Sequence, residues 1–133
     1  MKKPGLGAPV ERFTRLMFTH IIGRVSGFLA ANPFSISEIA ALHWVDYAGS
    51  LSVQALSEKL NLSISATSRV IGGLVKKGYF VSQPNPEDAR GRLIRCTKRG
   101  KQFLDEMSVE RVNAVFDLLP QLPPEIPEQL LKV

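Results

Sequence analysis

Apolar residues recur at Val10, Phe13, Leu16, Met17, Ile21, Val25, Phe28 and Leu29, the spacing of one helix face, so a long helix is predicted from Val10 to Ala30. Asn32-Pro33 ends it, because a proline drives the residue before it out of the helical region. Ser35 and Glu38 have the spacing of a capping box. The helix they start is expected to bury Ile36, Ile39, Ala40, Leu42 and Val45 and to stop at Gly49. Ser52 caps a short helix over Val53 to Leu60, with Leu56 and Leu60 inward. Asn61-Leu62-Ser63 is a tight turn, and Ser63 caps a further helix to about Lys77, with Thr67, Val70, Ile71, Leu74 and Val75 inward. Gly78 stops that helix. Two short helices across such a turn form a helix-turn-helix.

After Gly78 the period shortens. Tyr79-Phe80-Val81 and Leu93-Ile94-Arg95-Cys96 read as strands, and Pro84-Asn85-Pro86 breaks off the first. The connection carries Asp88, Arg90, Gly91 and Arg92, so the pair is a hairpin with a charged tip. Thr97 then caps a long helix with Phe103, Leu104, Met107, Val112, Val115, Phe116 and Leu119 on its apolar side. Pro120, Pro123, Pro124 and Pro127 punctuate the tail, with a short helix over Glu125 to Val133. The fold class is mainly α with a small β-hairpin, a single winged helix-turn-helix domain over 1–133. Its helix-turn-helix and wing occupy 51–96, between long helical segments at 10–31 and 98–133.

Composition narrows the function. A chain of 133 residues suits one domain, and its single cysteine excludes an internal disulfide. After the basic Met1-Lys2-Lys3-Pro4, the residues Arg12, Arg15, His20 and Arg24 interrupt every apolar run. Neither a signal peptide nor a membrane span is expected, which places the protein in the cytoplasm. Between Lys76 and Lys101, eight of the 17 basic residues meet only Glu87 and Asp88, a net of +6 in a chain whose total is +5. The excess charge is one local patch, and the commonest partner of such a patch is nucleic acid.

A helix-turn-helix followed at once by a basic hairpin is a specific signal for duplex DNA. The second helix enters the major groove while the wing follows the backbone into a neighbouring minor groove. Ser63, Ser65, Ala66 and Ser68 are small enough to let that helix lie deep, and their hydroxyls, with the helix N-terminus, suit phosphates or base edges. Arg69, one turn past Ser65, is the candidate guanine reader. Lys76 and Lys77 suit phosphate contact, and Arg90 and Arg92 suit a narrow minor groove. Asp88 is expected to order the wing through an ion pair with Arg90 rather than to touch DNA.

The stretch from Leu51 to Met107 resembles the core of the MarR family (multiple antibiotic resistance regulators). The resemblance is carried by Leu62-Ser63 with Ser68-Arg69, by Lys77-Gly78-Tyr79, by Pro86-Glu87-Asp88-Ala89-Arg90, and by Thr97-Lys98-Arg99-Gly100. It implies a homodimer whose first, fifth and last helices interlock, a repressor on a pseudo-palindromic operator, and an effector crevice between dimerisation and DNA-binding parts. His20, Arg24, Phe28, His43, Trp44 and Tyr47 are candidates to line that crevice, though aromatic residues at helical spacing also suit plain core. The chain departs from the family pattern at Thr67, where an apolar residue is usual, and at Gly72-Gly73, where polar or charged residues are usual. Two glycines inside a helix cost about 1 kcal/mol each relative to alanine, and they remove two side chains from the expected reading face. Cys96 stands where leucine is usual and reads as a packed strand residue, since oxidant-sensing members carry their cysteine near the N-terminus.

Catalysis is not expected. His20, His43 and Cys96 lie on three separate elements, with no nucleophile or metal-ligand spacing and no phosphate loop, so no cofactor is implied. The alternative to DNA recognition is a winged helix used for protein contact, its basic face meeting an acidic partner.

Overall fold

The computed structural model describes residues 7–133, and the basic Met1-Lys2-Lys3-Pro4 stretch lies outside the described residues. These residues form two compact units, one made of residues 7–32 with Met107–Val133, the other of Pro33–Glu106.

The first unit contains helix α1 (Gly7–Ala31) and the C-terminal part of helix α5 (Lys98–Leu118). A 3-10 turn (Leu119–Gln121) and helix α6 (Glu125–Leu130) follow. Val25, Met107, Ala114 and Leu118 are buried. Arg24 joins α1 to α5, its Nε donating to Asp117 Oδ2 at 2.6 Å and its Nη1 to Glu110 Oε2 at 3.4 Å. Val112 and Phe116, expected inside, are exposed. They stand two positions before the buried Ala114 and Leu118, which is about 200° away around a helix. Phe13, Phe18 and Ile22 of α1 are exposed as well.

The second unit is the winged helix. Helix α2 (Ile36–Ala48) starts at a complete capping box: Ser35 Oγ accepts from Glu38 N and Glu38 Oε2 accepts from Ser35 N. Ala41, Leu42 and Val45 form its inner side. Ile36 is 87% exposed rather than buried, because it precedes Val45 by nine positions and so points to the opposite side of the helix. Leu51–Ser52 forms a short strand, β1, and Ser52 Oγ caps helix α3 (Val53–Leu60) by accepting from Ala55 N. Asn61, with φ +53°, turns the chain in the left-handed region that asparagine tolerates. Helix α4 (Ile64–Lys76) follows, with Thr67, Ile71 and Leu74 buried. Val75 is exposed, not inward.

Gly78, with φ +83°, ends α4 and delivers the chain to strands β2 (Phe80–Asn85) and β3 (Asp88–Cys96). The sheet order is β1-β3-β2, all antiparallel, with Phe80 opposite Cys96 and Ser82 opposite Ile94. The hairpin is longer than its sequence suggests. Pro84 pairs with Arg92 inside β2, a proline tolerated because β2 is an edge strand, and a bulge follows between Pro84 and Asn85. At the far end Thr97 Oγ1 caps α5 by accepting from Gly100 N, and it donates to Gly78 O at 2.6 Å. Gly100 is required here, since a Cβ would lie 2.4 Å from Tyr79 O.

Candidate nucleic-acid interface

Helix α4 sorts its residues cleanly. With Thr67, Ile71 and Leu74 inside, the outward stripe is Ser65, Ser68, Arg69, Gly72 and Lys76, and Ala66 is half-buried between the two faces. Ser63 sits at the N-cap, its Oγ accepting from Ala66 N at 3.1 Å and lying 3.2 Å from Ser65 Oγ. The first turn therefore presents hydroxyls beside a helix N-terminus. Thr67, the departure from an apolar residue, is fully buried without a lost hydrogen bond: its hydroxyl donates to Ser63 O at 2.9 Å.

Arg69 and Lys76 stand exposed on the stripe, with no side-chain hydrogen bond or ion pair among the described residues. Lys77 differs. Its Nζ donates to Glu38 Oε1 at 2.8 Å and lies 4.7 Å from the Phe34 ring centre, so it is engaged within the protein rather than free for phosphate. The two glycines also part company. A Cβ on Gly72 would meet open space, whereas one on Gly73 would approach Glu38 Oε1 to 3.1 Å. Only Gly72 clears the reading face; Gly73 makes room for a carboxylate.

The wing divides its cations in the same way. Arg90 carries an exposed guanidinium with no side-chain partner among the described residues. Arg92 is folded back across the hairpin, Nε donating to Ser82 Oγ at 2.8 Å and Nη2 to Ser82 O at 2.7 Å. It braces the strands instead of extending from the tip. Asp88 orders the turn, but not by the expected ion pair. Its Oδ1 accepts from the backbone N of Arg90 at 3.0 Å, the short reach that a carboxylate two residues earlier naturally makes. Asn85 Oδ1 does the same for Glu87 N. Gly91 leaves space beside Asp88, where a Cβ would come within 3.2 Å of Oδ2.

Residues 34–91 match the family model described as the MarR family. That match covers most of the winged helix, a little under half of the chain. Among curated relatives, the HTH-type transcriptional regulator YdgJ of Bacillus subtilis is 26% identical over 106 residues, 80% of this chain. The multiple antibiotic resistance protein MarR of Salmonella typhimurium is 24% identical over 82 residues, 62% of this chain. The alignments span 65% and 57% of those relatives' own length. Among solved structures, the transcriptional regulator Tm0710 of Thermotoga maritima superposes with a TM-score of 0.79 at 20% identity, covering 94% of this chain and 88% of that one. A mutant MarR of E. coli solved in complex with operator DNA superposes at 0.65 and 20% identity, covering 98% and 97%. The MarR fold therefore extends over nearly all of the chain.

The candidate effector residues fall in separate units. In the first, Arg24 is committed to Asp117 and Glu110, and His20 Nε2 lies 3.2 Å from Gln121 Nε2, while Phe28 is half-buried. In the second, Trp44 lies under Lys59 Nζ at 4.7 Å and meets Tyr47 edge-on, with His43 half-buried beside it in sequence. Cys96 is half-buried, its Sγ 3.7 Å from Leu42 O. Burial pushes its thiol up to about 11, Asp46 adding to the rise and Lys101 opposing it, so thiolate chemistry is suppressed near neutral pH. Among the described residues no group of His, Cys, Asp or Glu is arranged to hold a metal, and no single helix is long and apolar enough to cross a membrane.

Sequence reasoning missed Glu38 as more than a cap. Nothing in its spacing announces a partner 39 positions along the chain.

Proposed function

We propose that this protein is a cytoplasmic, sequence-specific double-stranded DNA-binding regulator that acts as a homodimeric repressor on a pseudo-palindromic operator. The observation that carries the reading is the division of labour among the cations of the winged helix. Lys77 and Arg92 are tied into the fold, while Arg69 and Lys76 on α4 and Arg90 on the wing remain free on the exposed side of their elements. In this reading Ser63, Ser65, Ala66 and Ser68 let α4 approach the bases, Arg69 reads guanine, and Lys76 and Arg90 meet the backbone and minor groove. Binding rather than catalysis is the activity.

The homodimer is supported by the apolar surface of the first unit. Phe18 at 67% and Phe116 at 60% exposure, with Ile22 and Val112, are apolar side chains that a lone chain would leave in water. In the same unit a cavity of about 570 Å³ is lined by Phe13, Leu16, Leu122 and Ile126 among others. An effector, in this reading, acts by favouring a dimer whose two recognition helices are wrongly spaced for the operator.

Selection of bound sequences from a random duplex pool tests the whole reading. The expected product is an enriched motif of two inverted half-sites about one helical turn apart. A pool without enrichment overturns the DNA reading and favours the protein-contact alternative.

A further inference from the structure

We propose that Glu38 is a positioning residue for the recognition helix, and that Lys77 serves Glu38 rather than the DNA. The proposal rests on the DNA-binding reading above and assigns a role within it.

Glu38 uses its two oxygens for separate tasks. Oε2 accepts from Ser35 N at 2.9 Å and closes the cap of α2, while Oε1 accepts from Lys77 Nζ at 2.8 Å just past the end of α4. The side chain is only 13% exposed, so the pair is largely removed from solvent screening on the carboxylate side. Gly73 completes the fit, because any Cβ there would press on Oε1 at 3.1 Å. A glycine that costs helix stability thus has a packing reason that its neighbour Gly72 lacks. Lys77 is held a second time, over the ring of Phe34. That ring is itself fixed by Tyr79 at 5.0 Å and Phe103 at 4.5 Å between centroids.

The row matters for recognition. Arg69, Gly73 and Lys77 are spaced four apart, so they follow one another along one side of the helix. Glu38 engages the last two members of that row and thereby sets the rotation of α4 about its own axis. That rotation directs Arg69. Burial works to raise the Glu38 carboxyl, yet the hydrogen bonds from Lys77 and Ser35 and the ammonium's charge outweigh it and hold the group below its ordinary range. The carboxylate therefore stays charged, and paired, at neutral pH. An unpaired carboxylate this close to the reading face would repel phosphate.

The test compares Glu38→Gln, Lys77→Gln, their double variant and Lys77→Arg in the full chain. Affinities for the selected operator and for a scrambled duplex are measured over a series of salt concentrations. If Glu38 positions the helix, each single variant loses operator affinity on the order of tenfold, the scale of one charge-assisted hydrogen bond. The double variant loses no more than either single one, scrambled-duplex affinity and the salt slope stay as in wild type, and Lys77→Arg is close to wild type. Thermal melts of the same proteins ensure that affinities are compared on folded chains, since a purely stabilising pair lowers Tm without moving the operator-to-scrambled ratio. That last pattern overturns the proposal. So does a Lys77→Gln variant whose salt slope falls by about one while Glu38→Gln binds more tightly, the signature of a direct phosphate contact. A wild-type chain with no sequence preference overturns the DNA reading, and this proposal with it.

Discussion

Arg69 is the residue on which specificity is expected to turn. It stands free on the outward stripe of α4, one turn from the hydroxyl-lined start of the helix. Replacing it with alanine removes a bidentate base contact, which contributes about 1–3 kcal/mol of discrimination. Arg69→Ala is therefore expected to narrow the operator's advantage over mismatched duplexes by roughly that amount in competition titrations; an undiminished preference would reassign base reading elsewhere. Two glycines make the matching point about stability. Gly72→Ala places a methyl in open space and is expected to stabilise α4 by about 1 kcal/mol. Gly100→Ala forces a carbon onto the Tyr79 carbonyl and is expected to lower the denaturation midpoint clearly. Equal midpoints for the two variants would contradict the packing described here.

Among elements, the wing shows how far local pattern carries. The alternation of Tyr79 to Val81 and Leu93 to Cys96 marks the inner ends of the strands, and the hairpin is there. Its outer half was hidden by Pro84 and Pro86, since sequence alone does not say that β2 lies at the sheet edge, where a proline costs no ladder bond. Arg92 shows the same limit. Its neighbour Arg90 looks identical in sequence, yet register puts Pro84 opposite Arg92, with Ser82 two residues before it on the facing strand. Arg90→Ala is expected to weaken binding to operator and scrambled duplex alike, with a shallower salt dependence and an unchanged consensus. A shifted consensus would make Arg90 a base reader. Caps were the most legible features, because Ser35, Ser52, Ser63 and Thr97 act through neighbours within three residues. The Glu38–Lys77 pair was not, because it joins two helices.

For the whole molecule, the amphipathic periods of α1 and α5 announced long helices but not which apolar residues would be covered by the chain itself. Val112 and Phe116 belong to a face that a single chain does not bury. If that face is the dimer interface, truncation after Leu119, which removes α6, is expected to shift the protein towards monomer in sedimentation velocity; an undiminished dimer would place the interface elsewhere. At this scale the expected activity is recognition of duplex DNA by a specific basic surface. Its most direct test is the affinity of the wild-type protein for its selected operator and for a scrambled duplex, each titrated against salt. Both affinities are expected to fall steeply as salt rises while the operator stays favoured by about a thousandfold or more. Equal affinities for the two duplexes at every salt concentration would contradict it.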